Sequence, residues 1–542
     1  MNSITHQRSR RSRVRHSRRA IVLVLVMVVV TMVSLAGFSF VASMSNENKA
    51  VHLRGEQLRM ENAIASAEEF LKIYVQRSKP DADSTPGSSP FAQLTGPGGD
   101  NESLMRGVVV DEDGPKSRIR FTAIAPRYDE TGAATLQYGL ERESNRLDLR
   151  SVADWENRRP GSGKMALLGL PGMTESIADA LLDWMDSDSA PRQSGAEMDF
   201  YASLNPPYSP RNGIPESLEE LLLIKGITRE LLFGRDADQN HRLDYEEQSS
   251  STGTARDTNG ERQWPWIELL TIYSNEQNRT RDGKPRINLN HPDIRELHRL
   301  LSESFAPSFA AYVVLFRQNG PALNTRPGVA VGTAPLDFTK SARYRISSAL
   351  DLLQSRVQIG AIPGQGTIVE CPLTINPEGS HELLMQMYDD LTVSPLPFLK
   401  GRVNINTAPA EVLRSLPGLD KALAEQIVAA RSGTGNTEKS HDDHPYWIYS
   451  EGLVDISRLK ELSPFLTVGG DTHRTQIVAF SERSRLSQRV ELVLDASEKP
   501  TRRVMWKDLQ VLGRGFPWDA IDTPGGISAS QFGAGNAASV GY

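Results

Sequence analysis

Residues 21–45 (IVLVLVMVVVTMVSLAGFSFVASMS) carry no charge at all. At about 1.5 Å of rise per residue, a helix of that length crosses a hydrocarbon core of roughly 30 Å. Seven arginines crowd in front of it: Arg8, Arg10, Arg11, Arg13, Arg15, Arg18 and Arg19. Basic residues stay on the cytoplasmic side, so the pattern predicts a cytoplasmic N-terminus, a single membrane pass and a head on the far side. A cleaved secretory signal is the competing reading. The apolar run is longer than an ordinary signal core and the chain continues as helix beyond it, which favours a retained anchor.

From Glu47 to Gln76 the helical pattern runs on, with Val51, Leu58, Ile64, Ala65, Phe70, Leu71 and Tyr74 spaced among charges. Residues 79–101 are rich in Pro, Gly and Ser and read as a loop. Strand-like pieces follow at Gly107–Val110, Arg118–Ala125 and Thr135–Leu140, and again near the end at Thr475–Phe480, Arg489–Asp495 and Val504–Leu512. A long helical insert separates the two groups, so the fold class is α+β: a long N-terminal helix, a small antiparallel sheet and a large insert. Residues 249–262, 319–335 and 432–445 read as loops, and the Gly, Ala and Ser rich residues 523–542 as disordered.

The insert repeats itself. Arg286-Ile-Asn-Leu-Asn290 and Arg402-Val-Asn-Ile-Asn406 match, and Arg146-Leu-Asp-Leu149 is a weaker copy. Leu170-Pro171-Gly172 and Leu416-Pro417-Gly418 read as turns between two short helices, and Leu218–Leu232 around Gly226 reads as another. These are helix-hairpin-helix units, in which the glycine permits a tight turn of positive φ. Thr407 or Asn406 is placed to cap a helix with Pro409 in its first turn and Glu411 nearby. These patterns divide the chain into residues 1–20, 21–76, 102–145, 146–285, 286–400, 401–515 and 523–542.

With 542 residues and a formal net charge of −6, of which the N-terminal arginines are the basic exception, the head is acidic. That disfavours nucleic acid as the main partner and suits divalent cations. The single cysteine, Cys371, allows no internal disulfide. Two segments fit a hard cation. Asp183, Asp186, Asp188, Glu197 and Asp199 crowd one stretch broken by Pro191 and Gly195; it is either a calcium loop or a solvated acidic turn. Asp236, Asp238, Asn240, Arg242, Asp244 and Glu247 fall at positions one, three, five, seven, nine and twelve of an EF-hand loop, with Arg242 offering its carbonyl. Position six, ordinarily Gly, is His241, which predicts a weakened site. DNA-binding hairpins hold phosphate on their turn amides. Here Thr174, Thr228 or Asp420 stands two residues after the turn glycine and acids surround the turns, so packing is the better reading. No nucleophile elbow, HExxH or P-loop is present, and no enzyme activity is expected. His441 and His444 flank Asp442 and Asp443 in a loop and are read as linker residues ahead of metal ligands.

The basic leader, the apolar helix start and the helical stalk together resemble a type IV pilin or pseudopilin. RLDLRSV, LPGM, LLDWMDSDSAPRQSGAEMDFY, SLEELLLIKGI and VNINTAPAEVLRSLPGLD further resemble general secretion pathway protein K, the large minor pseudopilin of type II secretion. The resemblance implies cleavage by the prepilin peptidase after Ala20, leaving Ile21 as the mature N-terminus. Ala20 stands where the family usually has Gly, and Leu25 where most pilins have Glu; the K class typically lacks that Glu. It implies a non-enzymatic subunit at the tip of a periplasmic pseudopilus. That subunit would be anchored in the inner membrane and joined to the I and J minor pseudopilins and the secretion platform. It also implies calcium on Asp186, Asp188, Glu197 and Asp199. Residues 286–400 extend beyond the usual family length. A membrane-anchored DNA receptor of the competence type is the alternative.

Overall fold

The structure is a computed structural model, and it describes residues 17–77, 101–112, 118–128, 134–242, 247, 264–322, 328–331, 336–360, 366–375, 380–432, 441 and 444–522. Most of the leader, the loops expected at 249–262 and 523–542, and nearly all of 79–101 lie outside these residues. By packing, the chain divides into two units, residues 1–62 and 63–542. Helix α1 (Ser17–Arg77) begins in the first. Among the described residues it is the one helix long and apolar enough to cross a membrane. The large apolar side chains from Ile21 to Phe40 are exposed, and Thr31 returns its hydroxyl to the Val28 carbonyl at 2.8 Å, which satisfies that polar group within the helix.

The second unit opens with the last turns of α1. Ala63, Ile64, Ala67, Leu71, Tyr74 and Val75 are buried at helical spacing, and Phe70 meets Phe121 at 6.0 Å between ring centroids. The expected stripe is thus real at Ile64, Phe70, Leu71 and Tyr74; Ala65, Val51 and Leu58 are exposed. The sheet is antiparallel and built from both ends of the chain. Its strands are β1 (Val108–Glu112), β2 (Arg118–Tyr128), β3 (Ala134–Tyr138), β4 (Glu141–Arg142), β5 (Thr472–Ser481), β6 (Ser487–Asp495) and β7 (Arg502–Asp508). The order is β1-β2-β5-β6-β7, with β3 beside β2 and β4 beside β5. The last strand stops short of the expected Leu512. Asp508 accepts the Gln510 amide at 2.8 Å and turns the chain into a 3-10 segment, Gln510–Leu512.

The insert is organised by short parallel pairings, and they recur. Leu147-Asp148 pairs with Leu270-Thr271, Ile287-Asn288 with Leu391-Thr392, and Val403-Asn404 with Leu466-Thr467. In each, the first strand's Asp or Asn accepts the amide two residues on: Arg150 at 2.8 Å, Asn290 at 2.9 Å and Asn406 at 2.9 Å. Each closing threonine does the same for Tyr273, Ser394 and Gly469, at 3.1, 3.2 and 3.1 Å. Residues 286–400 are therefore framed like the segments before and after them. The second asparagines are tertiary ties: Asn290 bridges Ile346 and Val393, and Asn406 accepts from Trp447 and donates to His441. Neither Asn406 nor Thr407 is a helix cap; the short helix Ala410–Leu413 starts at Pro409 with no side-chain cap.

Between the first pair lie α2 (Leu149–Arg158), α3 (Ser162–Leu168), α4 (Glu175–Met185), α5 (Met198–Ala202) and α6 (Arg229–Phe233). Their apolar faces join one buried cluster that runs on to Leu466 and includes Leu167, Leu181, Trp184, Tyr201, Leu221 and Leu232. The sheet is tied to this helical region by buried ion pairs. Arg474 on β5 donates to Glu143 at 2.6 Å and reaches Glu491 on β6 at 3.4 Å. Arg146 reaches Glu141 at 2.6 Å, Glu268 at 3.2 Å and Glu143 at 3.6 Å. Substituting Arg474→Met strands Glu143 and Glu491 as buried negative charge. It is expected to lower stability by about 3–5 kcal/mol, read as the urea midpoint followed by tryptophan fluorescence.

Candidate metal centre

Helix α4 ends in a carboxylate cluster because its C-terminal turn carries Asp183 and its C-cap is Asp186. Partial negative charge at a helix C-terminus favours a cation there. Asp183 is fully buried and shapes the following loop: it accepts the Arg192 amide at 3.2 Å, the Ala196 amide at 2.9 Å and the Arg192 guanidinium at 2.7 Å. Gly195 makes this possible. A Cβ there would lie 1.8 Å from an Asp183 carboxylate oxygen. The returning loop brings Glu197 back over the helix end, so that Asp186, Asp188 and Glu197 each place one oxygen within 4.8 Å of the others.

Those oxygens fit a hard cation. Glu197 is 5% exposed, yet neither of its carboxylate oxygens has a hydrogen-bond partner, and one oxygen of Asp186 is likewise buried and unpartnered. Burial, then the charges of Asp183, Asp186 and Asp188, push the Glu197 pKa up. Burial raises Asp186 too, against the pull of Arg192. Asp199, expected in the set, is not part of it: it sits exposed on α5, past the turn that Glu197 caps. Asp183 and Arg192 are the residues that sequence reasoning missed as organisers; the adjacent Gly195 was the only signal.

The second acidic loop is described at residues 236–242 and 247. Asp236, Asp238 and Glu247 bring their oxygens within 4.8 Å of one another. Asp236 accepts the Asn240 amide at 3.1 Å and the His241 amide at 2.7 Å, Asn240 accepts the Arg242 amide at 2.7 Å, and Glu247 accepts the Ala237 amide at 2.7 Å. Asp244 lies outside the described residues. Burial pushes the Asp236 pKa up to about 7. His241 adopts the turn that position six demands, with φ +63°.

What the spacing did not reveal is the use made of that histidine. Its ring is buried, paired with Glu268 through Nδ1, and 3.5 Å from Glu491 through Nε2. The loop is held from the same side: Gln476 donates to the Gln239 carbonyl at 2.7 Å, Arg489 donates to the Asp238 carbonyl, and the Asn240 side-chain amide donates to the Gly515 carbonyl at 2.7 Å.

The turn glycines Gly172, Gly226 and Gly418 all have positive φ, +71°, +83° and +84°. A Cβ on Gly172 would meet Leu231 at 3.0 Å, and one on Gly226 would meet Ile177 at 3.0 Å. Each of these turns therefore faces the helix that follows the other. Thr174, Thr228 and Asp420 accept the amides of Ile177, Leu231 and Leu423 at 3.3, 3.3 and 2.9 Å, as N-terminal caps. His441 pairs with Glu451 at 2.5 Å and stacks on Trp447, while His444 meets His381 at 3.1 Å; the two do not converge.

Two family models described as type II secretion system protein K match the chain, one over residues 145–233 and one over residues 403–443. Over those two segments the chain is similar to type II secretion system protein K. The first match contains α2 to α6 and the whole acidic loop around Asp186; the second contains the strand Val403–Asn404 and the turn at Gly418. A solved structure, the GspK-GspI-GspJ complex from enterotoxigenic Escherichia coli, is similar over 84% of this chain and 98% of its own, with 11% identity and a TM-score of 0.38. No curated protein matches the chain significantly.

Burial lowers the His241 pKa, but Glu268 and Glu491 outweigh it and hold it at about 10, above the ordinary 6.5. The folded state then binds more protons than the unfolded state between those values, so this contribution is full below about pH 6.5 and fades as pH rises towards 10. The urea midpoint is expected to fall between pH 7 and pH 10 in the natural protein, and to fall less in His241→Gln, measured under chelation.

Proposed function

We propose that this chain is a minor pseudopilin of type II secretion that caps the tip of a pseudopilus and supports export of folded proteins across the outer membrane, without enzymatic activity. The observation that carries this is the pair of protein K matches, in chain order, on a head whose first helix continues from a span of exposed apolar residues. In this reading α1 is a single-pass inner-membrane anchor, its N-terminus cytoplasmic and its head periplasmic. The prepilin peptidase cuts after Ala20, and Ile21 becomes the first residue. The helix pairs around Gly172, Gly226 and Gly418 are helix-hairpin-helix units used for packing, which fits the facing turns at Gly172 and Gly226 and the caps made of Thr and Asp.

The partners are I- and J-type minor pseudopilins and the inner-membrane platform. Expressed with its own I and J subunits, the protein is expected to co-purify with both and to show Ile21 as its N-terminus by mass spectrometry. Recovery alone, with residues 1–20 retained, would overturn the proposal.

Both acidic loops bind calcium in this reading. At the first, Asp186, Asp188 and Glu197 hold the ion, which ties the end of α4 to the start of α5. At the second, Asp236, Asp238, Asn240, the Arg242 carbonyl, Asp244 and Glu247 hold it. The ion supplies charge neutralisation at both. At a calcium concentration about a hundredfold above Kd, a single site adds roughly 2.7 kcal/mol. The melting temperature is expected to be higher in millimolar calcium than in chelator, with smaller shifts in Glu197→Gln and in Glu247→Gln. Equal melting in both conditions would remove calcium from the account.

A further inference from the structure

The loop that gathers Asp186, Asp188 and Glu197 already contains a cation. The Arg192 guanidinium bridges two carboxylates through one nitrogen, at 2.7 Å to Asp183 and 2.5 Å to Asp186. The two acceptors differ in kind. Asp183 is sealed in and also accepts the Arg192 and Ala196 amides, so it does not depend on the guanidinium alone. Asp186 keeps its other oxygen buried and without a partner, as are both oxygens of Glu197. One carboxylate of the cation set is thus shared with an arginine, while the remaining acceptor capacity faces the same space.

Resting on the calcium reading of this loop, we propose that Arg192 is an internal competitor for the divalent ion: it holds Asp186 when calcium is absent and must yield it when calcium binds. The arginine side chain is 27% exposed, so it has room to swing outwards while Asp183 remains satisfied by the Arg192 and Ala196 amides. Two consequences follow from the charges. A guanidinium in contact with Asp186 weakens calcium binding, because both cations draw on the same carboxylate. The same guanidinium keeps the calcium-free loop folded, because without it Asp183 and Asp186 repel each other. Arg192 therefore narrows the difference between the loaded and unloaded states and sets the calcium concentration at which the loop changes hands. It is a positioning residue, not a calcium ligand.

The test uses the full-length protein in detergent, with Glu247→Gln reducing binding at the second loop, and calcium chloride as the probe. Arg192→Gln is expected to bind calcium about tenfold more tightly in calorimetric titration. It is also expected to melt at a lower temperature than its parent in chelator, with the gap closing in millimolar calcium. Arg192→Lys keeps the charge but loses the planar fork, and about threefold tighter binding is expected of it; it reports if Arg192→Gln does not fold. Unchanged or weaker affinity in these variants, with calcium still bound by the parent, overturns the inference and leaves the calcium reading standing. A parent that binds no calcium, or whose binding Glu197→Gln leaves untouched, overturns both.

Discussion

The head depends on one closed circuit of buried charge. Glu143 holds Arg474, Arg474 reaches Glu491, Glu491 faces His241, His241 pairs with Glu268, and Glu268 returns through Arg146 to Glu143. Each member is almost wholly removed from water. Charges so placed are tolerable only in complete sets, because losing one partner leaves another stranded. The set draws on the segment after β4, on β5 and β6, on the short helix Trp266–Leu269 and on the acidic loop at 236–242. Segments separated by more than 300 residues must therefore meet before any of them is electrostatically comfortable, as the Glu143–Arg474 separation of 331 illustrates. The sheet and the helical insert are thus obliged to fold as partners.

That circuit also explains the departure of the second acidic loop from EF-hand chemistry. Glycine would satisfy the turn at position six, but it could not reach Glu268 and Glu491. Histidine accepts a positive φ at modest cost and provides the missing positive charge. The position is thus used twice, as a turn and as a counter-ion. A cation loop and the sheet behind it are joined through one side chain.

Local signals were legible in the sequence. The span at residues 21–45, the stripe at Ile64, Leu71 and Tyr74, the strands at both ends and the approach of Asp236, Asp238 and Glu247 all follow from spacing and residue type over short distances. The misses share a different cause. Asp199 stands beside Glu197 in the acidic stretch, and the resemblance implies it as a ligand, but the turn at Glu197 carries Asp199 to the surface. Asn406 and Thr407 looked like caps because a helix follows them, yet Asn406 is spent on Trp447 and His441. The roles of His241, Arg146 and Arg474 could not be read locally, since their partners lie tens to hundreds of residues away. The asparagine repeats announced the recurring unit, but the Leu-Thr strands that close each copy became meaningful only once paired.

The recurring closure has an architectural consequence. In the copy that starts at Ile287 and ends at Thr392, first and last strands run side by side, so the segment leaves the body of the head where it entered. A segment with adjoining ends can be spliced between its neighbours without stretching either, because both joints keep their positions. The head can thereby gain bulk in whole increments while the sheet and the anchor helix stay as they were, and its size becomes a quantity that gene duplication can adjust stepwise.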